Sequence, residues 1–371
     1  MEINLIALAI PVFFLLIFVE AAVVRIQGKK DIYRFHDAIT DLGCGVSSQV
    51  IGVFSKGSLL LLYTAVWSQA ALLQPQEWVQ WILAFIGVDF CYYWWHRASH
   101  RLNFLWAGHI VHHQSQDYNL AVALRQAWFT RFSNLPFMLP LALLGVHPLI
   151  FAASDAINTL YQFWIHTQTI GKLGPLEWIL NTPSHHRIHH AINPRYIDKN
   201  YAGIFIIWDR MFGTFIKEEE EAVYGTVAVF ESWDPVWANF HYWMHMCREA
   251  QRFKSLKHRL WIWFAPPEWQ PSGPKSIPEV HPETFTKWTT SVSPLTKIYV
   301  GVSFFPTVCA LVWMLWFEKT ENIWTLGGIG VAIVVATFSF GALLEGRKGA
   351  ATLEALRLIA TAVLLVVILT T

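Results

Sequence analysis

Charge is what this sequence has least of. Asp, Glu, Lys and Arg together make 14% of the 371 residues, against roughly 25% in soluble domains. The formal net charge is +1, which leaves no global electrostatic pull on nucleic acid. Cysteine is scarce too. Cys44, Cys91, Cys247 and Cys309 lie far apart, with no C-x-x-C pair and no disulfide framework, so each reads as a buried small hydrophobe. There is no G-x-G-x-x-G, no Walker A and no G-x-S-x-G signature, and no repeat of solenoid period. What the chain has instead is apolar and aromatic residues. Hydrophobic residues make 54%, with 20 Trp and 26 Phe, a composition suited to lipid-facing and interfacial surface.

The apolar runs are long. Ile3 to Val24, broken only by Asn4, Pro11 and Glu20, can cross a hydrocarbon layer of about 30 Å, which needs about 20 residues. It lacks the basic leader of a signal peptide and reads as a retained span. Arg25, Lys29, Lys30 and Arg34 follow, and the positive-inside rule makes that loop cytoplasmic. Val50 to Leu73 then crosses outward and Trp78 to Trp95 returns. Ala127 to Gly145 and Pro148 to Ile165 read as a down-and-up helical hairpin, or as two partly inserted helices. From Lys172 to Thr290 no run is long enough to span, and this stretch holds nearly half of the charged residues. Its acidic run Glu218 to Glu221 and basic patch Arg248 to Arg259 read as solvated faces. Leu295 to Phe317, Ile323 to Leu344 and Leu353 to Leu369 form a last three-helix transmembrane block, with Arg347 and Lys348 again on the cytoplasmic side. The expected fold is an all-α, polytopic integral membrane helical bundle with a cytoplasmic histidine-rich di-metal cap. Two units are expected: 1–290, membrane-embedded with the cap, and 291–371, the C-terminal block.

Histidine is the exception to this economy of polar residues. Nine of the 16 histidines fall in three short segments: His96-x-x-x-His100, His109-x-x-His112-His113 and His185-His186-Arg187-Ile188-His189-His190. Residues at i, i+3 and i+4 share a helix face. The pattern therefore offers H-x-x-x-H once and H-x-x-H-H twice, eight imidazoles in all. His166, at the end of a further apolar segment, is the ninth candidate. Nine ring nitrogens are too many for one tetrahedral zinc and suit two ions with open positions. His185 breaks the repeat and is a candidate for supporting a ligand or for serving as an alternative ligand. His36, His147, His241, His245, His258 and His281 stand outside the pattern and read as structural or surface residues.

A ligating histidine needs its other ring nitrogen held, by a carboxylate or a carbonyl. Asp89 lies seven residues before His96, inside an apolar run where an acid is costly. Asp155, Asn158 and Gln162 precede His166. Asp117 and Asn119 follow the second cluster, and Asp198 and Asn200 the third. These are the candidates for that role. Imidazole suits several metals. A site of eight or more histidines at the mouth of an apolar bundle fits dioxygen activation and attack on an unactivated C–H bond of a lipid. That points to iron, since zinc has no redox chemistry.

At these boxes the chain resembles the fatty acid hydroxylase and sterol desaturase superfamily of membrane di-iron enzymes. Flanking strings resemble its alkylglycerol monooxygenase branch: Trp106-Ala-Gly-His109, Asp117-Tyr-Asn-Leu120, Ala123-Leu-Arg-Gln126, Asn181-Thr-Pro-Ser-His-His-Arg187, Asp198-Lys-Asn-Tyr-Ala-Gly203 and Ile207-Trp-Asp209. The resemblance implies hydroxylation of the carbon next to the ether oxygen of an alkylglycerol, using two iron ions, O2 and tetrahydrobiopterin as reductant. A bilayer lipid is the expected partner; the electron donor stays open between pterin and redox protein, and the membrane between a bacterial inner membrane and the endoplasmic reticulum. One departure is Arg101, directly after the first box, where mammalian-type enzymes have glutamate. The competing expectations are a sterol or fatty-acyl hydroxylase or desaturase with the same site, and a membrane metal transporter or sensor.

Overall fold

The computed structural model describes residues 5–29 and 31–370. Ile3 and Asn4 of the expected first span, and Lys30 of the basic loop, lie outside the described residues. Among these the chain is helical, with only two isolated bridges, Leu180 to Phe205 and Ala191 to Tyr224. The first half holds α1 (Leu5–Ile26), α2 (Phe35–Ala70), α3 (Glu77–Arg101), α4 (Asn103–His113), α5 (Leu120–Ala123), α6 (Thr130–Leu143) and α7 (Pro148–Trp164). A 3-10 turn at Gly174–Trp178 precedes α8 (Pro183–His189), α9 (Ile207–Met211), α10 (Pro235–Arg252) and α11 (Leu256–Trp261). The chain ends in α12 (Pro294–Phe317), α13 (Ile323–Leu344) and α14 (Ala350–Thr370).

Among the described residues five helices are long and apolar enough to cross a membrane: α1 over Ala7–Ile26, then α2, α12, α13 and α14. The protein is therefore a multi-pass membrane protein. Of the further spans expected, α6 has 14 residues and α7 has 17. The 25 residues of α3 are long enough but carry Asp89, two tyrosines and two histidines that turn inward. The second span also differs from expectation. Its helix begins at Phe35 and not at Val50, so it runs for 36 residues. The extra turns carry Asp37 and Asp41. Both are buried, Asp37 against Arg34 and Asp41 against Arg125, and pairing is what lets a helix carry acids inward.

Capping explains where several helices begin. Asp234, Ser293 and Asn322 each accept backbone N–H bonds at the first turn of α10, α12 and α13, and proline follows Asp234 and Ser293 directly. These are favoured start signals. Gly145 turns the chain between α6 and α7 at φ 82°, and a Cβ there would lie 2.2 Å from the Leu73 carbonyl oxygen. Gly45 of α2 likewise abuts the Leu124 carbonyl, so the long helix approaches the histidine-bearing segments closely.

One apolar core joins Val46 and Val50 of α2 to Val300, Phe304, Leu311 and Met314 of α12 and Ile333 and Phe340 of α13. A second joins α2, α3, α6 and α7 through Tyr63, Val88, Met138 and Phe151. The outer faces of α1 and α14 stay apolar and exposed, as at Phe18, Ile359 and Val366, which is how lipid-facing helices look. Two cysteines depart from the expected burial. Cys44 and Cys91 are buried, but Cys247 on α10 and Cys309 on α12 are exposed. A small apolar residue fits a lipid-facing surface as well as a core, and the sequence does not separate the two.

Candidate metal centre

Each box lands where a helix ends. His96 and His100 sit on the last two turns of α3, and α4 terminates on His113. Pro183 starts α8, which runs through His186 and His189 and stops at His190. His166 follows α7 directly. All nine candidate imidazoles are buried, none more than 8% exposed. They form two groups of converging ring nitrogens: His96, His100, His109, His113 and His189 in one, and His112, His166, His186 and His190 in the other. Each H-x-x-H-H box is split between them. The i, i+4 pair stays together, and the remaining histidine turns to the other group.

The hydrogen bonds show what these groups can hold. His112 Nδ1 lies 3.0 Å from the Arg125 carbonyl oxygen, and His166 Nδ1 lies 2.7 Å from that of Gln162. A carbonyl only accepts, so both protons sit on Nδ1. Their Nε2 lone pairs then face each other at 3.2 Å. His96 and His189 are fixed the same way, by the carbonyls of Tyr201 at 2.7 Å and Lys199 at 3.0 Å. Nε2 of His96 lies 3.0 Å from Nε2 of His109, and Nε2 of His100 and His189 have no hydrogen-bond partner. Bare lone pairs gathered in a buried space call for a cation. A proton serves poorly, because burial pushes His112 down to about 4 and His189 to about 3. Burial, with neighbouring imidazoles, also lowers His109, His113, His186 and His190 well below the usual range. Neutral imidazole is the metal-binding form, so the two groups are compatible with a di-metal site.

The holders of the imidazoles are main-chain carbonyls. Asp198 and Asn200 adopt φ of 60° and 54°, a region non-glycine residues rarely visit. They flank Lys199, and this turn delivers the Lys199 and Tyr201 carbonyls to His189 and His96. Asn200 pins it by donating to the carbonyls of His185 and Ile216 and accepting from Ile216 N–H. Asp209 accepts from the N–H groups of Tyr201 and Ala202 at 2.8 Å each. Burial pushes this carboxyl up to about 6.

The other candidates act at greater distance. Asp89 accepts from Asn158, Ile204 N–H, Phe205 N–H and the Trp208 indole, fixing the segment beyond Tyr201. The Gln162 amide donates to Asn158, while its carbonyl holds His166. Asp117 pairs with Arg34 and Lys287, and Asn119 caps α5. Asp155 of α7 faces the charge of Arg131. His185 lies outside both groups, its ring against Phe215. Asp198 is the carboxylate that comes near a candidate ligand, 3.7 Å from His100 Nδ1, and it also pairs with Arg101. Arg101 reaches Glu268 at 3.3 Å as well. Glu218 is not simply solvated. It takes a two-pronged bond from Arg187, at 2.8 Å on each oxygen, inside the third box.

Two contributors were absent from the sequence expectations. Arg125 is fully buried. Its carbonyl holds His112, and its guanidinium donates to Val111 O, Gln114 Oε1 and Asp41 Oδ1. Glu20 of α1 is buried and accepts from Tyr33, Thr167 and Leu120 N–H, one residue from His166. An arginine or glutamate in an apolar stretch was the available signal for each.

Among the described residues this is an all-helical membrane protein, and its two groups of converging ligand atoms are all histidine nitrogens, suited to metal. The chain belongs to the fatty acid hydroxylase family, whose model matches residues 81–214. It is similar to alkylglycerol monooxygenase of Homo sapiens, 38% identical over 94% of this chain and 80% of that protein. The alkylglycerol monooxygenase of Caenorhabditis elegans is 30% identical over 91% and 72%. Cholesterol 25-hydroxylase of Homo sapiens is 26% identical over 40% and 58%. No solved structure matches. The relatives are monooxygenases and hydroxylases, and the chain is an oxygen-dependent oxidoreductase of that family.

Proposed function

We propose that this protein hydroxylates the carbon next to the ether oxygen of an alkylglycerol lipid, with two iron ions held by the nine histidines. The observation that carries this is the likeness to alkylglycerol monooxygenases along almost the whole chain. His96, His100, His109, His113 and His189 would hold one ion, and His112, His166, His186 and His190 the other. Bound there, iron would supply the reduction of dioxygen and the oxidation of the C–H bond. In balance, the lipid, O2, two electrons and two protons give the hydroxylated ether and water. The hydroxylated ether is a hemiacetal and falls apart into an aldehyde and glycerol. A tetrahydropterin is the proposed donor of the two electrons.

The protein's own groups orient the donors and keep water out. The carbonyls of Arg125, Gln162, Lys199 and Tyr201 fix four rings with Nε2 inward, so little reorganisation is needed when metal binds. The aromatic rings of Trp95, Trp106, Tyr118 and Tyr201 pack against the imidazoles and exclude bulk solvent. The cap is placed on the cytoplasmic side, beside Arg25, Lys29, Arg34, Arg347 and Lys348, on the positive-inside rule. The membrane is a bacterial inner membrane or the endoplasmic reticulum. The block at 291–371 braces α2 through the shared core.

Anaerobically iron-loaded protein should consume O2 and release a fatty aldehyde when given an alkylglycerol and tetrahydrobiopterin. Oxidation of sterols or free acids with no aldehyde from any alkylglycerol would favour the second reading, a sterol or acyl-lipid hydroxylase. The partial likeness to cholesterol 25-hydroxylase supports that reading.

A further inference from the structure

Between α3 and α6 runs an apolar groove of about 780 Å³, within the roughly 300–1,000 Å³ of small-molecule sites. Ile82, Ile86, Phe90 and Trp94 line one wall, Phe137 and Leu144 the other. Its floor is where the helices touch: a Cβ on Gly87 would lie 2.6 Å from Leu141 Cδ2. Ile82, Ile86 and Leu144 are exposed at its edge, so the groove is open sideways to lipid. From Ile82 to Trp94 is twelve residues of helix, about 18 Å at ~1.5 Å each. One leaflet of a hydrocarbon core about 30 Å thick is about 15 Å, so the groove is as long as a leaflet is deep.

One end of the groove abuts the metal centre. Cys91 and Phe137 line it there, and one helical turn further on stand Trp95 and Ser133. The Trp95 indole donates to Ser133 Oγ at 3.1 Å. The same indole lies 5.9 Å from the ring of His96 and 5.5 Å from that of His109. Trp95 and Ser133 thus close the head of the groove directly beneath the five-histidine group.

We propose that this groove holds the single alkyl chain of the lipid substrate, its tail at Ile82 and Leu144 and its headward end at Trp95. This rests on the lipid-oxidising reading above and adds a direction to it. The whole chain lies on one side of the metal centre, so the carbon presented for oxidation is the one beside the head group. A mid-chain carbon would require the chain to pass the histidines, and a terminal carbon would put the polar head group at the apolar Ile82 and Leu144 end of the groove.

The test uses full-length protein in nanodiscs and two hexadecylglycerol probes, with a photoactivatable diazirine at the tail or beside the glycerol. The tail probe should label peptides holding Ile82, Leu83 or Leu144, and the headward probe those holding Trp94, Trp95 or Ser133. Label spread over the exposed faces of α1, α12 and α14 would mean annular lipid only and overturn the proposal. Leu83→Trp, which narrows the tail end, should lower kcat/KM for octadecylglycerol by about tenfold or more and spare octylglycerol. Equal losses at both lengths, or none, would also overturn it. Ordered labelling with no aldehyde from any alkylglycerol removes the ether-lipid reading and leaves the groove; aldehyde with scattered labelling does the reverse.

Discussion

His112 and His166 point bare Nε2 lone pairs at each other across 3.2 Å, each ring pinned by a carbonyl behind it. Removing either ring should open the four-histidine group and leave the five-histidine group intact. His166→Ala is expected to bind roughly one iron per chain where the parent binds about two, since three imidazoles remain where four converged. Inductively coupled plasma measurement on purified protein checks this. Loss of both irons, or of neither, would mean that the groups are not separate sites.

Arg125 offers a second test, because one residue serves the centre twice. Its guanidinium ties the end of α4 to Asp41 of α2, and its carbonyl orients His112. Arg125→Ala should cost about 3–5 kcal/mol, since it leaves Asp41 buried without its cation. Arg125→Lys keeps the charge and loses the fork. It should fold and bind metal about 10–100-fold more weakly, the usual cost of losing a ligand's support. If Arg125→Ala with Asp41→Leu recovers chemical-denaturation stability but not metal affinity, the fold and positioning contributions separate.

The boxes, the span-forming runs and the all-helical class were legible in sequence because each rests on short-range periodicity. His96 and His100 announce themselves at i, i+4, and α12 and α13 by length. What stayed hidden depends on contacts distant in sequence. The start of α2 at Phe35 follows from Asp41 meeting Arg125, 84 residues away. The division of His112 from His113 into different groups follows from how α4 meets α8. The carbonyls that hold the rings carry no residue signature, so acids stood out in their place. Asp198 and Asn200 were singled out for their side chains, yet their unusual backbone is what places Lys199 and Tyr201.

That turn gives a third prediction. Asn200→Ala would force an ordinary side chain into φ of 54°, at roughly 1–2 kcal/mol, and would delete three hydrogen bonds. The Lys199 and Tyr201 carbonyls should drift from His189 and His96. Iron affinity of the five-histidine group should drop about tenfold or more, with the other group unaffected. Asn200→Gly restores the backbone but not the bonds, and should fall between Asn200→Ala and the parent in competition with a chelator.

Acid should destabilise the metal-free protein steeply. In the unfolded chain a histidine takes up its proton near 6.5. In the fold, burial holds His112 near 4 and His189 near 3, and lowers His109, His113, His166, His186 and His190 well below 6.5. Between those values the unfolded state binds more protons than the folded one, so stability falls as pH falls. The slope is about 1.4 kcal/mol per pH unit for each such group, and the seven histidines act together; Asp117 and Asp209, pushed up to about 6 by burial, work in the opposite sense below pH 6 and offset part of it. Above about 7 these histidines are neutral in both states and contribute no slope. Metal-free protein should therefore show a flat Tm from pH 7 to 8 and a steep decline from 6.5 towards 5, followed by tryptophan fluorescence. Iron-loaded protein should hold its Tm to lower pH, because protons must displace metal before they reach the rings. A Tm independent of pH across that window in the metal-free protein would mean that the imidazoles are not buried together as described.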